Sequence, residues 1–401
     1  VVNAWTGSVL IARYGTRTDE SALRWKNVFS VNLLIALLAI IVGVWYAGSA
    51  LVQVFREIPE INNYSDILPG KREFVRRFLH GETVYVPVQF DSYALQLTFL
   101  PFRWLPFVIA EMMKFDYRWI PFAGFIVGIL CWIFSNSIIG SKSAYWETAL
   151  KIFLPFVALN MFVVHEGINF ALAVELLILG YHFILARFLF HKNPWVVGLS
   201  LVLCLLSRYS IILWLAVPAF WLILEKRHVF LGKVMLITIG GIFLFYLLPF
   251  CRHDLGKHFL TATQYYIDAC RGCWNVDTWL PPGSLPNLIG KGEGFQYWSY
   301  VFGPTDVDAR YRLNNNLGLL ICTATVIISC WVLYRHIKTK NDPIAIQGLL
   351  FGSLKVYMMF FIGFILCPFS YLFIVPFFML LPLFYSISFK SAFLNQPRQS
   401  V

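Results

Sequence analysis

Charge is what this sequence has least of: 13% of its residues are Asp, Glu, Lys or Arg, against 59% that are apolar. Unbroken runs of Leu, Ile, Val and Phe recur over most of the 401 positions. A soluble core of this size cannot use so much apolar surface, so a polytopic helical membrane protein is predicted. The short alternating segments of a membrane β-barrel are missing as well. The net charge of +11 comes from basic residues that cluster beside the apolar runs. They read as topology determinants, which argues against a nucleic-acid partner.

Other absences narrow the chemistry. The eight cysteines form no framework, because Cys131, Cys204, Cys322, Cys330 and Cys367 sit inside apolar runs. Cys251, Cys270 and Cys273 share one polar loop, where Cys270 and Cys273 are spaced either for a small oxidised clip or as two partly buried thiols. No His, Cys or Asp spacing argues for zinc, and Asp306 with Asp308 lacks a coordination frame, so neither metal nor cofactor is expected. Gly290-Lys291-Gly292-Glu293-Gly294 lacks the Ser or Thr and the βαβ setting of a nucleotide loop. No cleavable signal is evident, so the first apolar run is expected to be the anchor.

What is there begins with Arg13, Arg17, Arg24 and Lys26 ahead of the run 28–51. The positive-inside rule puts that end in the cytoplasm and hands residue 61 onward to the other side. The stretch 99–113 is short and carries Pro101, Arg103, Trp104 and Pro106, so an interfacial helix is expected there. Spans are then expected at 119–139, 149–164, 170–190, 195–206, 211–224, 231–250, 317–334, 344–367 and 371–389, about ten in all. With this parity Lys142, Lys192, Lys226, Arg227, Arg335, Lys338 and Lys340 fall in cytoplasmic loops. Three sections follow: a transmembrane module over 1–250 with its first non-cytoplasmic loop at 56–117, a cap at 251–316, and C-terminal helices over 317–401.

The polar chemistry gathers on the non-cytoplasmic side. The segment 61–102 interleaves Asn62, Asn63, Asp66, Glu82 and Asp91 with Tyr64, Tyr85, Phe90 and Tyr93, a combination suited to sugar stacking and proton handling at the bilayer surface. Ser207-Arg208-Tyr209-Ser210 interrupts the apolar run 195–224. One continuous helix would leave Arg208 near mid-membrane, so two short helices meeting at a recessed turn are expected. The His165-Glu166-Gly167 turn and the Trp-, Tyr-, Gly- and Pro-rich cap 251–316 fall on the same face. A channel or carrier would place ionisable groups within its spans, whereas here Glu175 and Arg208 are the main exceptions. The distribution points to an enzyme whose substrate keeps its tail in lipid and its head group at the surface.

The order of these features resembles the GT-C superfamily of integral-membrane glycosyltransferases, in particular its polyprenyl-phosphate-sugar-dependent, mannosyltransferase-like branch. The resemblance rests on Asn63-Tyr64-Ser65-Asp66, the helix ending Phe78-Leu79-His80-Gly81-Glu82-Thr83-Val84-Tyr85, and the Pro-bearing stretch with Tyr93, Pro101 and Pro106. His165-Glu166-Gly167-Ile168-Asn169, and Gly198-Leu199-Ser200 leading to Ser207-Arg208-Tyr209-Ser210, complete it. It covers roughly 28–224; beyond residue 231 only the general layout matches. It implies an all-α polytopic fold and an inverting transfer of a hexose, mannose in that branch, from a polyprenyl-phosphate donor to a lipid-linked or glycan acceptor. An acidic residue of the first loop, here Asp66, is the family's catalytic base. Gly167 and Asn169 match the family's turn but Ile168 replaces its Gln, which leaves donor and acceptor identity open. Arg208 stands where Lys is commoner. The missing nucleotide loop suits a lipid-phosphate donor. A lipid-linked-glycan flippase, a non-catalytic lipid-presenting subunit and an enzyme using a diphosphate-linked glycan are the alternatives.

Each candidate has a plainer role beside the chemical one. Asp66 is a general base or an N-cap, with Glu82 and Asp91 as substitute bases. Arg208 binds a lipid phosphate or pairs structurally with Glu175 or Glu166. His165, Glu166 and Asn169 orient donor phosphate or sugar hydroxyls, or form an ordinary polar turn. Tyr64, Tyr85 and Arg103 complete the expected substrate contacts. Arg76 and Arg77, on an amphipathic stretch with Phe74 and Phe78, suit anionic lipid head groups.

Overall fold

The computed structural model describes residues 31–58, 66–90, 94–97, 99–133, 145–252, 256–272, 274–275, 284–286, 289, 294–339, 342–366 and 369–386. Over these the protein is mostly α-helical. Five helical stretches are long and apolar enough to cross a bilayer: Val31–Glu57, Tyr145–Leu172, His228–Cys251, Val307–Thr339 and Pro343–Gly363. Shorter apolar ones lie at Trp119–Ile133, Pro194–Leu205 and Ser370–Tyr385. The protein is a multi-pass membrane protein.

Helix α1 (Val31–Glu57) shows how these spans pack. Its buried stripe is small, with Ala36, Gly43, Ala47 and Gly48, and it lies against α6 (Tyr145–Leu172). A Cβ on Gly43 would come within 2.4 Å of the Phe156 ring. Leu34, Leu38, Ile41 and Trp45 point outward, as a lipid-facing side requires. Helices α5 (Trp119–Ile133) and α7 (Glu175–Phe188) meet through Gly124, Gly128 and Gly180. A Cβ on Gly180 would fall 2.2 Å from the Gly124 carbonyl oxygen, so the two backbones touch there.

Between α1 and α5 the chain forms α2 (Ile67–Leu79), a two-stranded antiparallel ribbon of β1 (Val88–Gln89) and β2 (Ala94–Leu95), α3 (Pro101–Trp104) and α4 (Phe107–Met113). Two short helices thus replace a span at 99–113. Arg77 fastens the turn after α2 by donating to the carbonyls of Val84, Val86 and Pro87. Arg118, at the head of α5, donates to the carbonyls of Phe55 and Ile58 and so satisfies the open C-terminal end of α1.

The turn expected at 165–169 is instead a bend inside α6. Only Glu166 leaves helical geometry (φ −128°, ψ 31°), and the chain turns at Ala173 and Val174, ahead of α7. No proline or positive-φ glycine interrupts the helix at 165–169. Helices α8 (Pro194–Leu205) and α9 (Ala216–Leu224) flank the Arg208 segment, followed by α10 (His228–Ile242) and a wide π-helical continuation, Phe243–Cys251, that contains Pro249.

Then come α11 (Lys257–Gly272), α12 (Gln296–Phe302), α13 (Val307–Thr339) and α14 (Pro343–Gly363). A helix end leaves its last carbonyls without intrahelical donors. Here Gly363 O and the three carbonyls that follow the helix all accept from other parts of the chain. Phe295 N donates to Gly363 O at 2.7 Å, Asn314 Nδ2 to Phe364 O at 3.1 Å, Gln296 Nε2 to Ile365 O, and Trp274 Nε1 to Leu366 O at 3.1 Å. The chain then runs through a 3₁₀ turn, Ser370–Phe373, into α15 (Ile374–Phe378) and α16 (Leu380–Tyr385).

Candidate functional site

The site begins where α8 stops. Ser207 N and Arg208 N both bond back to Cys204 O, the Ser207 hydroxyl donates to the same carbonyl at 2.8 Å, and Arg208 itself is extended (φ −159°, ψ 128°). The 3₁₀ turn Tyr209–Ile211 follows, so the break expected around Arg208 is present, and it shortens both flanking helices. Arg208 Nη2 lies 2.8 Å from Glu175 Oε1, at the first position of α7. Arg103 is brought to the same carboxylate by α3, because Phe102 N donates to Leu206 O at 3.0 Å and Tyr181 OH donates to Phe102 O at 3.2 Å. Arg103 Nη2 stands 3.8 Å from Glu175 Oε1, with its guanidinium over the Phe99 ring. Two guanidinium groups therefore share one carboxylate whose side chain is 1% exposed.

The groups are not saturated. Among the described residues Glu175 Oε2, Arg103 Nε and Arg208 Nη1 are buried without a hydrogen-bond partner. Both arginines line a cavity of about 130 Å³. Its other walls are Ser207 and Tyr209, Tyr266 from α11, Phe361 and Ile365 from the end of α14, and Phe369 and Tyr371 beyond it. The cavity is thus built from five separated parts of the chain. Burial followed by the neighbouring Arg208 charge pulls the Arg103 guanidinium below its usual range.

Asp66 stands at the N-cap position of α2 but makes no side-chain capping bond, so the structure does not give it the plain capping role. Burial raises its carboxyl above the ordinary 3.8, against opposing pulls from its own backbone N–H, Lys71 and Arg103. Asp66 is not among the residues lining the cavity; it acts on the cluster through those two cations. Lys71, one turn further along α2, is fully buried, with Nζ 4.2 Å from the centre of the Phe99 ring. Burial and then Arg103 hold its ammonium well below the usual lysine range, opposed by Glu175 and Asp66. Asp66, Lys71, Arg103, Glu175 and Arg208 form one electrostatic group at one end of the bundle.

Glu82 is exposed and bound to Arg76 at 2.8 Å, on the outer face of α2. His165 and Glu166 are exposed on α6. Asn169 donates to Glu166 and, at 2.8 Å, to the hydroxyl of Ser370, next to the cavity residue Tyr371. Tyr85 faces the aromatic core, not the cavity: its hydroxyl donates to Phe99 O at 2.9 Å and accepts from Trp104 Nε1, and its ring stacks on His258 at 4.5 Å. Tyr64, Asp91 and Cys273 lie outside the described residues. Asp306 caps α13 by accepting from Ala309 N, and Asp308 approaches Arg271 at 3.7 Å.

Sequence reasoning missed Lys71, Tyr266 and Tyr371. Lys71 had a readable signal, since it falls on the apolar stripe with Phe74, Val75 and Phe78. The two tyrosines had none. Comparison of the chain with protein-family models, with curated proteins and with solved structures gives no match.

Proposed function

We propose that the protein is an inverting membrane glycosyltransferase of GT-C type that moves a hexose from a polyprenyl-phosphate donor to a lipid-linked or glycan acceptor. The observation that carries the reading is the pair Arg103 and Arg208 on the wall of one cavity, sharing a single buried carboxylate and keeping buried N–H groups unused. Planar guanidinium donors suit the oxygens of a phosphodiester. Tyr209, Tyr266, Phe369 and Tyr371 supply aromatic walls that suit a sugar ring. About ten spans, with the site at the non-cytoplasmic face, belong to the same reading.

In this mechanism the acceptor enters from the α2 side, where Asp66, which does not line the cavity, removes the proton of its hydroxyl as the oxygen bonds to the anomeric carbon. The bond from that carbon to the phosphate oxygen breaks on the opposite side, and the electron pair leaves with the lipid phosphate. Arg208, assisted by Arg103, stabilises the charge that grows there. A β-linked donor then gives an α product. Burial raises the Asp66 pKa, which makes its ionised form a stronger base at neutral pH. Purified protein in liposomes, given polyprenyl-phosphate hexose labelled in the sugar, tests the reading. Transfer of label to acceptor with release of polyprenyl phosphate is expected, and passage of the intact lipid across the bilayer overturns it in favour of a carrier.

A further inference from the structure

We propose that α12 is an interfacial anchor whose aromatic face lies in the head-group layer of the bilayer. Of its residues, Trp298 is 59% and Phe302 72% exposed, and their rings stack at 5.2 Å and 17°. Tyr297 and Val301 share that outward face, while Gln296 and Ser299 on the opposite face are buried. A seven-residue helix has no independent stability, so it exists by docking. Such a strongly apolar exposed side needs an occupant.

The height of α12 on the molecule identifies that occupant. The Ser299 hydroxyl donates to Asn314 on α13 at 3.2 Å. Asn314 is three residues before Leu317, where the apolar run of that span begins, a rise of about 5 Å along the helix. On its other flank the Phe295 ring stacks at 4.7 Å on Phe364, immediately past the C-terminal end of α14. The aromatic face is therefore level with the ends of two membrane-crossing helices. Trp and Tyr favour this depth, with an apolar body in the acyl boundary and a polar tip among head groups. Arg312, exposed on the neighbouring turn of α13, adds a cation at the height of lipid phosphates.

The N-terminal end of the same helix holds the last carbonyl of α14 and one just beyond it, Phe295 N donating to Gly363 O and Gln296 Nε2 to Ile365 O. Phe361, Ile365 and Phe369, on either side of those carbonyls, line the charged cavity. Contact with lipid on one side of α12 thus fixes a cavity wall on the other.

The test incorporates photoreactive p-benzoylphenylalanine singly at Phe302, Trp298, Leu320 or Glu82 in the full chain. The protein is reconstituted in vesicles of phosphatidylethanolamine and phosphatidylglycerol, irradiated, and read by mass spectrometry. Leu320, 64% exposed on the apolar part of α13, is the lipid reference, and exposed Glu82 the water-facing one. Phospholipid adducts at positions 302 and 298, in yields like that at 320 and absent at 82, are expected. Adducts to a second copy of the chain, or none while 320 reacts, overturn the proposal. Because the readout is lipid contact, it stands whether or not the protein transfers sugar.

Discussion

The two faces of α2 carry the same kinds of group under opposite conditions. On the outer face Glu73, Arg76 and Glu82 form a chain of ion pairs at 2.8 Å, with the Arg76 side chain 46% exposed. On the inner face Lys71 is wholly enclosed, in the electrostatic group of Arg103, Glu175 and Arg208. Water screens the outer pairs and makes each of them dispensable. Inside, every charge depends on its neighbours, because removing one strands the rest without solvent. Distance alone therefore does not rank these contacts, since the pair at Glu82 is as short as the pair at Glu175.

The largest effect is expected from Glu175→Gln, which leaves two buried guanidinium groups without their shared anion. A loss of about 3–5 kcal/mol in unfolding free energy, measured in detergent, is the expected cost. A change no larger than that of an exposed variant would erase the contrast between the two faces. Next comes Arg208. Arg208→Ala is expected to weaken binding of polyprenyl-phosphate hexose by about tenfold to a hundredfold. Arg208→Lys should recover part of that, since lysine keeps the charge and loses the forked donor geometry. Equal loss in both variants would mean that the fork, not the charge, is what matters.

Lys71→Met sharpens the comparison through pH. The lysine ammonium opposes the upward shift of Asp66, so its removal should raise that carboxyl further and move the acidic limb of the activity profile to higher pH. A carboxyl raised above its unfolded value of 3.8 binds protons more tightly in the folded state, so its contribution is present at low pH and is lost as pH rises through the folded pKa. Titration of unfolding between these values checks it; an unmoved activity limb would uncouple Lys71 from Asp66. The smallest effect belongs to Arg76→Ala, where neither the unfolding midpoint nor turnover should change measurably. A clear loss there would show that the outer face contributes more than its exposure allows.

How much of this was legible depended on whether the signal was local. Arg208 and Glu175 stood out because a charge inside an apolar run demands an explanation, and the helix break at Arg208 was readable for the same reason. Asp66 was singled out by its position after the first span. Lys71 is hidden by the charged pattern around it, although its register with Phe74 and Val75 marks the buried face. In sequence Tyr85 suits a sugar platform because its neighbours there are polar. In the fold it stacks on His258, more than 170 positions away, and no local pattern announces such a partner. The bend in place of a turn at 165–169 reflects the same limit: the polar residues are real, but only Glu166 leaves helical geometry, and the chain kinks there without reversing. The capping of α14 by Trp274, Gln296 and Asn314 joins three stretches that only the folded chain brings together.

The division of labour between carboxylate and guanidinium is tested most directly by Asp66→Asn, with donor binding and turnover measured on one preparation. Binding of polyprenyl-phosphate hexose should stay close to that of the unaltered protein, because Arg103 and Arg208 remain in place. Turnover should fall by about 10² to 10⁴, the range of a lost general base. Turnover equal to that of the unaltered protein would contradict the account.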